Sequence, residues 1–142
     1  MPAFDDQTLL TAMMSLNMAL QKRLNARLSF HGLGWTDYRV LQVLAARPEQ
    51  TMRRIDLAEQ VGLTASGVTR LLNPMEKIGL IDKQASDHDA RVSLVSWTAA
   101  GQRMLKESSV TVADLACQLF GGLDTRQRRE LNQALDALAS AA

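Results

Sequence analysis

The sequence predicts a mainly α fold with a small β-wing: a winged helix-turn-helix set between N- and C-terminal helices. Three observations carry this. Two short helical runs meet at a glycine, Gly62; the apolar period changes from helical to extended after Gly79; and long amphipathic segments stand at both ends. A chain of 142 residues is then most simply one domain, 1–142, long enough to bury a real core.

The elements follow in order. Between Gln7 and Phe30, Leu9, Met13, Leu16, Leu20, Leu24 and Leu28 recur at steps of three or four, and Leu10, Met14 and Met18 widen the stripe. This predicts a long helix with more apolar surface than one small neighbour would cover. His31–Gly34 ends it, and Trp35-Thr-Asp37 opens a second helix with Tyr38, Val40, Leu41, Val43 and Leu44 as buried candidates. The chain breaks at Arg47-Pro48, because the residue before proline avoids helical angles. Met52–Gln60 is expected as a short helix with Ile55, Leu57, Ala58 and Val61 inward, closed by Gly62.

Thr64–Ile81 is the stretch with two faces. Val68, Leu71, Leu72, Met75 and Ile78 form an apolar stripe, while Ser66, Thr69, Arg70, Asn73 and Lys77 lie mostly on the other side. Thr64 is a good N-cap and Gly79 a good stop. Leu80–Gln84 and Val92–Trp97 read as strands with Ala85–Ala90 as the polar tip, which completes the wing. Thr98 caps a helix over Ala99–Phe120, and Gly121-Gly122 separates it from a last helix, Asp124–Ala139. The unit 35–97 is thus flanked by helices 7–30 and 99–140, whose apolar faces have no local partner. The economical arrangement packs them together and against a second copy of the chain, a homodimer; the alternative is an intramolecular bundle in a monomer.

Composition narrows the function. Hydrophobic residues at 46% and charged residues at 22% are those of an ordinary globular protein. No apolar run has the length of a membrane span, and MPAFDDQTLL has no basic start followed by an apolar core, so a cytoplasmic protein without a membrane partner is expected. One cysteine, Cys117, excludes an internal disulfide framework; among Ala113, Ala116 and Phe120 it reads as a buried small apolar residue. Two isolated histidines, His31 and His88, suggest no metal site, and no cofactor is expected. Neither a phosphate-cradling glycine loop nor a nucleophile–base pair appears, which argues against an enzyme. Net charge is only +1, and Thr51–Ala100 holds six basic and six acidic residues, so any nucleic-acid binding must come from local placement.

Taken together, Leu57-Ala-Glu-Gln-Val-Gly-Leu63, Thr64-Ala-Ser-Gly-Val-Thr-Arg-Leu-Leu72, Met75-Glu-Lys-Ile-Gly-Leu-Ile81 and Asp89-Ala-Arg91 with Val92–Gly101 resemble the MarR (multiple antibiotic resistance regulator) family of bacterial transcription regulators. The resemblance spans the whole chain. It implies a dimeric regulator, in the first instance a repressor, that binds double-stranded DNA at a palindromic operator and responds to a small aromatic or phenolic effector or to oxidation. Three departures stand out: His88 and Ala90 occupy places where arginine is common, Trp97 stands where leucine is usual, and Pro74 falls inside the helix, where a bend is expected.

In that context the first turns of the Thr64–Ile81 helix should enter the major groove. Ser66 and Thr69 can donate to or accept from bases or phosphates, Gly67 lets the backbone approach, and Arg70 can chelate a guanine edge. Asn73 is a further candidate that Pro74 could turn away. The alternative for Arg70 is a solvated arginine or one held by Glu76. The resemblance implies that Arg91 enters the minor groove while Asp89 orients it. Arg54 and Thr64, near helix N-termini, are candidates for the DNA backbone. It also implies an effector crevice, for which Met14, Met18, His31, Trp35 and Met104 are candidate borders, each more simply read as core. The relatives that sense redox carry a cysteine near the N-terminus, which this chain lacks, so a Cys117 sensor is disfavoured. A winged helix that binds protein instead of DNA is the alternative that the neutral charge balance keeps open.

Overall fold

The computed structural model describes residues 4–142; the first three residues of the N-terminal stretch MPAFDDQTLL lie outside them. Helix α1 (Asp6–Leu28) starts at Asp5, whose carboxylate accepts from the Thr8 backbone N–H at 2.7 Å, and runs into a single 3-10 turn, Ser29–His31. Gly32 takes a left-handed φ of 75°, which lets the chain double back into α2 (Trp35–Ala45). There the Asp37 carboxylate accepts from the Gly34 N–H at 2.7 Å, closing the first turn. Burial raises the Asp37 pKa above the usual aspartate value, against the opposing pull of that N–H.

After α2 the structure departs from the expected Met52–Gln60 helix. Thr51–Arg53 is a strand, β1, and only Arg54–Val61 is helical (α3). The strand pairs antiparallel with a segment more than forty residues downstream, Met52 facing Val95, a partnership that no local pattern announces. Ile55, expected inside, is 54% exposed, while Leu57 and Ala58 are buried as expected. Gly62 turns the chain at φ 73° into α4 (Ala65–Lys77).

Thr64 caps α4 by accepting from the Gly67 N–H at 3.0 Å. The helix continues through Pro74 to Lys77 as one element. Val68, Leu72 and Met75 are buried, but Ile78, placed on the apolar stripe by spacing, is 62% exposed because the helix has already ended at the turn. Strands β2 (Ile81–Ala85) and β3 (Ser93–Trp97) form the wing, and the three-stranded sheet has the order β1-β3-β2. Helix α5 (Ala99–Phe120) and helix α6 (Thr125–Ala141) follow, capped by Thr98 and Asp124.

The core lies between α2, α3, α4, the sheet and the start of α5. Leu41, Leu44, Leu57, Val68, Leu72, Ile81 and Val95 are all fully buried in it. Polar contacts join α1 and α2 to α5: Arg27 donates to Asp114 and Gln118, each at 2.8 Å, the His31 ring meets the Thr111 hydroxyl at 2.7 Å, and the Tyr38 hydroxyl meets that of Ser109 at 3.2 Å. The ends of the chain stay open. Leu28 is the one buried residue of α1, and α6 has none among the described residues. Leu9, Leu10, Met13, Met14, Leu16 and Met18 on α1 are exposed, as are Leu131, Leu135 and Leu138 on α6. Cys117 is exposed too, which corrects the expectation of a buried thiol. No helix among the described residues is long and apolar enough to cross a membrane.

Candidate nucleic-acid interface

The sequence places a hydroxyl-rich first turn on α4, and the fold holds that turn at the surface. Ser66 and Arg70 are exposed, while Val68 and Leu72 anchor the opposite face. Arg70 has no hydrogen-bond or ion-pair partner among the described residues. Glu76, its alternative partner, instead faces Lys83 on β2 at 3.8 Å. An arginine without a carboxylate keeps its five donors for a ligand.

The other predicted residues of the helix are tied down. Thr69 donates its hydroxyl hydrogen to the Ala65 carbonyl at 3.0 Å and accepts from Arg54 Nη1 at 2.7 Å. The same nitrogen donates to the Ala65 carbonyl at 3.1 Å. Arg54 therefore reaches across from the first turn of α3 and braces the first turn of α4, a use that its position near a helix N-terminus did not suggest. Asn73 accepts from Lys83 Nζ, so its amide oxygen faces the wing strand. Ser66 Oγ sits 3.3 Å from the capping Thr64 hydroxyl.

Gly67 also has a reason within its own helix. A Cβ built on it would lie 3.1 Å from Thr64 Oγ1 and 3.6 Å from Leu63 Cβ. The missing side chain makes room for the cap of its own helix.

At the wing tip the expected couple is formed. Asp89 accepts from Arg91 Nε at 3.1 Å, from Nη2 at 3.2 Å and from the Arg91 backbone N–H at 3.0 Å. These bonds hold the Asp89 carboxyl below the usual aspartate pKa. The Arg91 side chain is 91% exposed and so is aimed by Asp89 without being covered. Arg53, Arg54 and Arg91 line one cleft with Ile55, Val92 and Ser93, between the start of α3 and the wing. Arg53 is itself paired with Asp56 at 2.8 Å, which holds the Asp56 carboxyl low. The cleft is basic in composition yet partly neutralised.

The candidate effector residues do not come together within one chain. Trp35 and Met104 pack against the core, and Trp35 stacks on Tyr38 with centroids 5.5 Å apart. Met14 and Met18 lie exposed on α1, the former roughly 20 Å along the helix from its C-terminal end, where His31 follows.

A capped helix with a free arginine on its outer face, followed by a two-stranded wing with an aimed arginine at its tip, makes up a winged helix-turn-helix. The MarR family profile matches residues 31–92, from the end of the 3-10 turn through the wing tip. Over 127 residues the chain is 26% identical to the transcriptional repressor MprA of Escherichia coli (strain K12), covering 89% of this chain and 72% of that protein. Its fold is similar to that of Sco3205, a MarR family transcriptional regulator from Streptomyces coelicolor solved in complex with DNA (TM-score 0.86, 22% identity, 96% and 86% of the two chains). It is also similar to a mutant MarR from E. coli complexed with operator DNA (TM-score 0.82, 20% identity, 92% of each chain). The chain is thus similar to the MarR family of transcription regulators over residues 31–92, and its fold is that of MarR family structures.

Proposed function

We propose that two copies of this chain form a homodimeric transcription regulator, in the first instance a repressor, that binds a palindromic operator in double-stranded DNA. The observation that carries the reading is the unpartnered guanidinium of Arg70 on the outer face of α4, with Arg91 aimed from the wing by Asp89. On this reading α4 lies in the major groove and Arg70 chelates a guanine edge, while Arg91 enters the adjacent minor groove, where narrow A·T-rich segments concentrate negative potential. Ser66 supplies a second polar contact to the duplex. The relatives are transcription regulators, not enzymes, which favours DNA over a protein-interaction role.

The dimer is supported by the uncovered leucines and methionines of α1 together with Leu131, Leu135 and Leu138 of α6, an apolar surface larger than a lone monomer keeps in water. Control by a small aromatic or phenolic molecule belongs to the same proposal. Thermal melting against a set of aromatic acids reads it.

The test is Arg70→Ala on a duplex selected by the wild-type chain from a randomised pool. Specific binding should fall by ~1–3 kcal/mol, roughly five- to 150-fold. Sedimentation should still give the wild-type dimer. Wild-type affinity in that variant would remove α4 from the reading role, and a wild-type monomer at micromolar concentration would remove the dimer.

A further inference from the structure

Resting on the DNA-binding reading above, we propose that Arg54 sets the sequence specificity of α4 by positioning Thr69. Arg54 Nη1 carries two hydrogens, and both have acceptors inside the protein: the Ala65 carbonyl at 3.1 Å and Thr69 Oγ1 at 2.7 Å. Both acceptors belong to the first two turns of α4, the part of a recognition helix that reaches base edges. The arginine itself belongs to α3. It is therefore a lateral strut between the two helices of the helix-turn-helix, fixing the roll of the reading helix beside Arg70.

The strut also fixes a hydrogen-bond polarity. A threonine hydroxyl has one hydrogen and two lone pairs. The hydrogen of Thr69 goes to Ala65, at 3.0 Å, and one lone pair faces the guanidinium. Nothing is left to donate to a phosphate oxygen. Whatever Thr69 offers a duplex is an acceptor, and the matching major-groove donors are adenine N6 and cytosine N4. Loss of Arg54 frees the hydroxyl to donate or accept, so discrimination falls while the charge that attracts DNA in general changes little elsewhere.

A double-mutant cycle separates this role from a backbone contact. Affinities of wild type, Arg54→Met, Thr69→Val and the double variant are measured on the selected duplex and on a scrambled one, across salt, with thermal melting in parallel. Each single variant should lower the specific-to-scrambled ratio by roughly tenfold, the double variant should lower it no further, and the salt slope should stay at the wild-type value. Additive losses with a slope reduced by about one, or an unchanged ratio in Arg54→Met, overturn the proposal. Arg54→Lys keeps the charge without the fork and is the second variant should Arg54→Met not fold. It should lose the ratio as well, and wild-type binding in Arg54→Lys would mark a simple phosphate contact and overturn the strut. A wild-type chain that enriches no sequence from the pool overturns the DNA reading and the strut together, and is seen before any variant is compared.

Discussion

At the scale of single residues, arginines do four different things in and around the winged unit, and hydrogen-bond partners tell them apart. Arg53 closes on Asp56, Arg54 braces α4, Arg91 is aimed by Asp89, and Arg70 is unpartnered among the described residues. The Asp89–Arg91 couple has a defined pH signature. Because Arg91 lowers the folded pKa of Asp89, the couple's contribution is complete above the ordinary aspartate range and is lost only as pH falls through the lowered value. Carboxyl NMR of Asp89 should therefore titrate below 3.8, with wing geometry constant from about pH 5 to 8. A midpoint at or above 3.8 would mean that the couple does not hold in solution. The outward placement of Arg70 was legible from helical spacing, and the Asp89–Arg91 couple from the family resemblance. The partners of Arg54 and Asn73 were not, since Arg54–Thr69 and Asn73–Lys83 each join two elements whose relative placement only the fold supplies.

At the scale of elements, α4, the proposed reading helix, is mounted between neighbours. Arg54 holds its start to α3, and Lys83 holds its later turns to β2 through Asn73 and Glu76. The turn after α4 is in turn fixed to α5: the Thr98 N–H donates to the Leu80 carbonyl at 3.1 Å, and its hydroxyl donates to the Gly79 carbonyl. Gly101 sits at this joint, fully inside, and a Cβ there would overlap the Leu80 carbonyl oxygen and press on Leu41. Gly101→Ala should therefore destabilise by ~1–3 kcal/mol or more, read by urea unfolding, because backbone and not a flexible side chain must yield. A wild-type unfolding midpoint would show that α5 is not locked to the wing base in this way. Helix periods, caps and the two wing strands were readable from sequence because each is a local pattern. Strand β1 was not: three residues, Thr51–Arg53, have no period to speak of and become a strand only by pairing with Leu94–Ser96.

At the scale of the whole molecule, the fold divides into a winged unit with a closed core and two chain ends with open apolar faces. The sequence already carried that division, since the leucine and methionine stripes of α1 exceed what one chain can cover. Cys117 shows the limit of such reading: small neighbours suggested burial, but burial depends on which face of the helix is packed, and Cys117 lies exposed. The unit 51–100 carries no net charge, so selectivity must rest on a few placed guanidiniums more than on bulk attraction. The most direct measurement is a hydroxyl-radical and methylation-protection footprint of the wild-type chain on its selected duplex. Two symmetric major-groove protections about 10 bp apart are predicted, each flanked by a protected minor groove. A single protected half-site, or uniform protection with no two-fold pattern, would contradict a paired α4 and wing reading one face of the duplex.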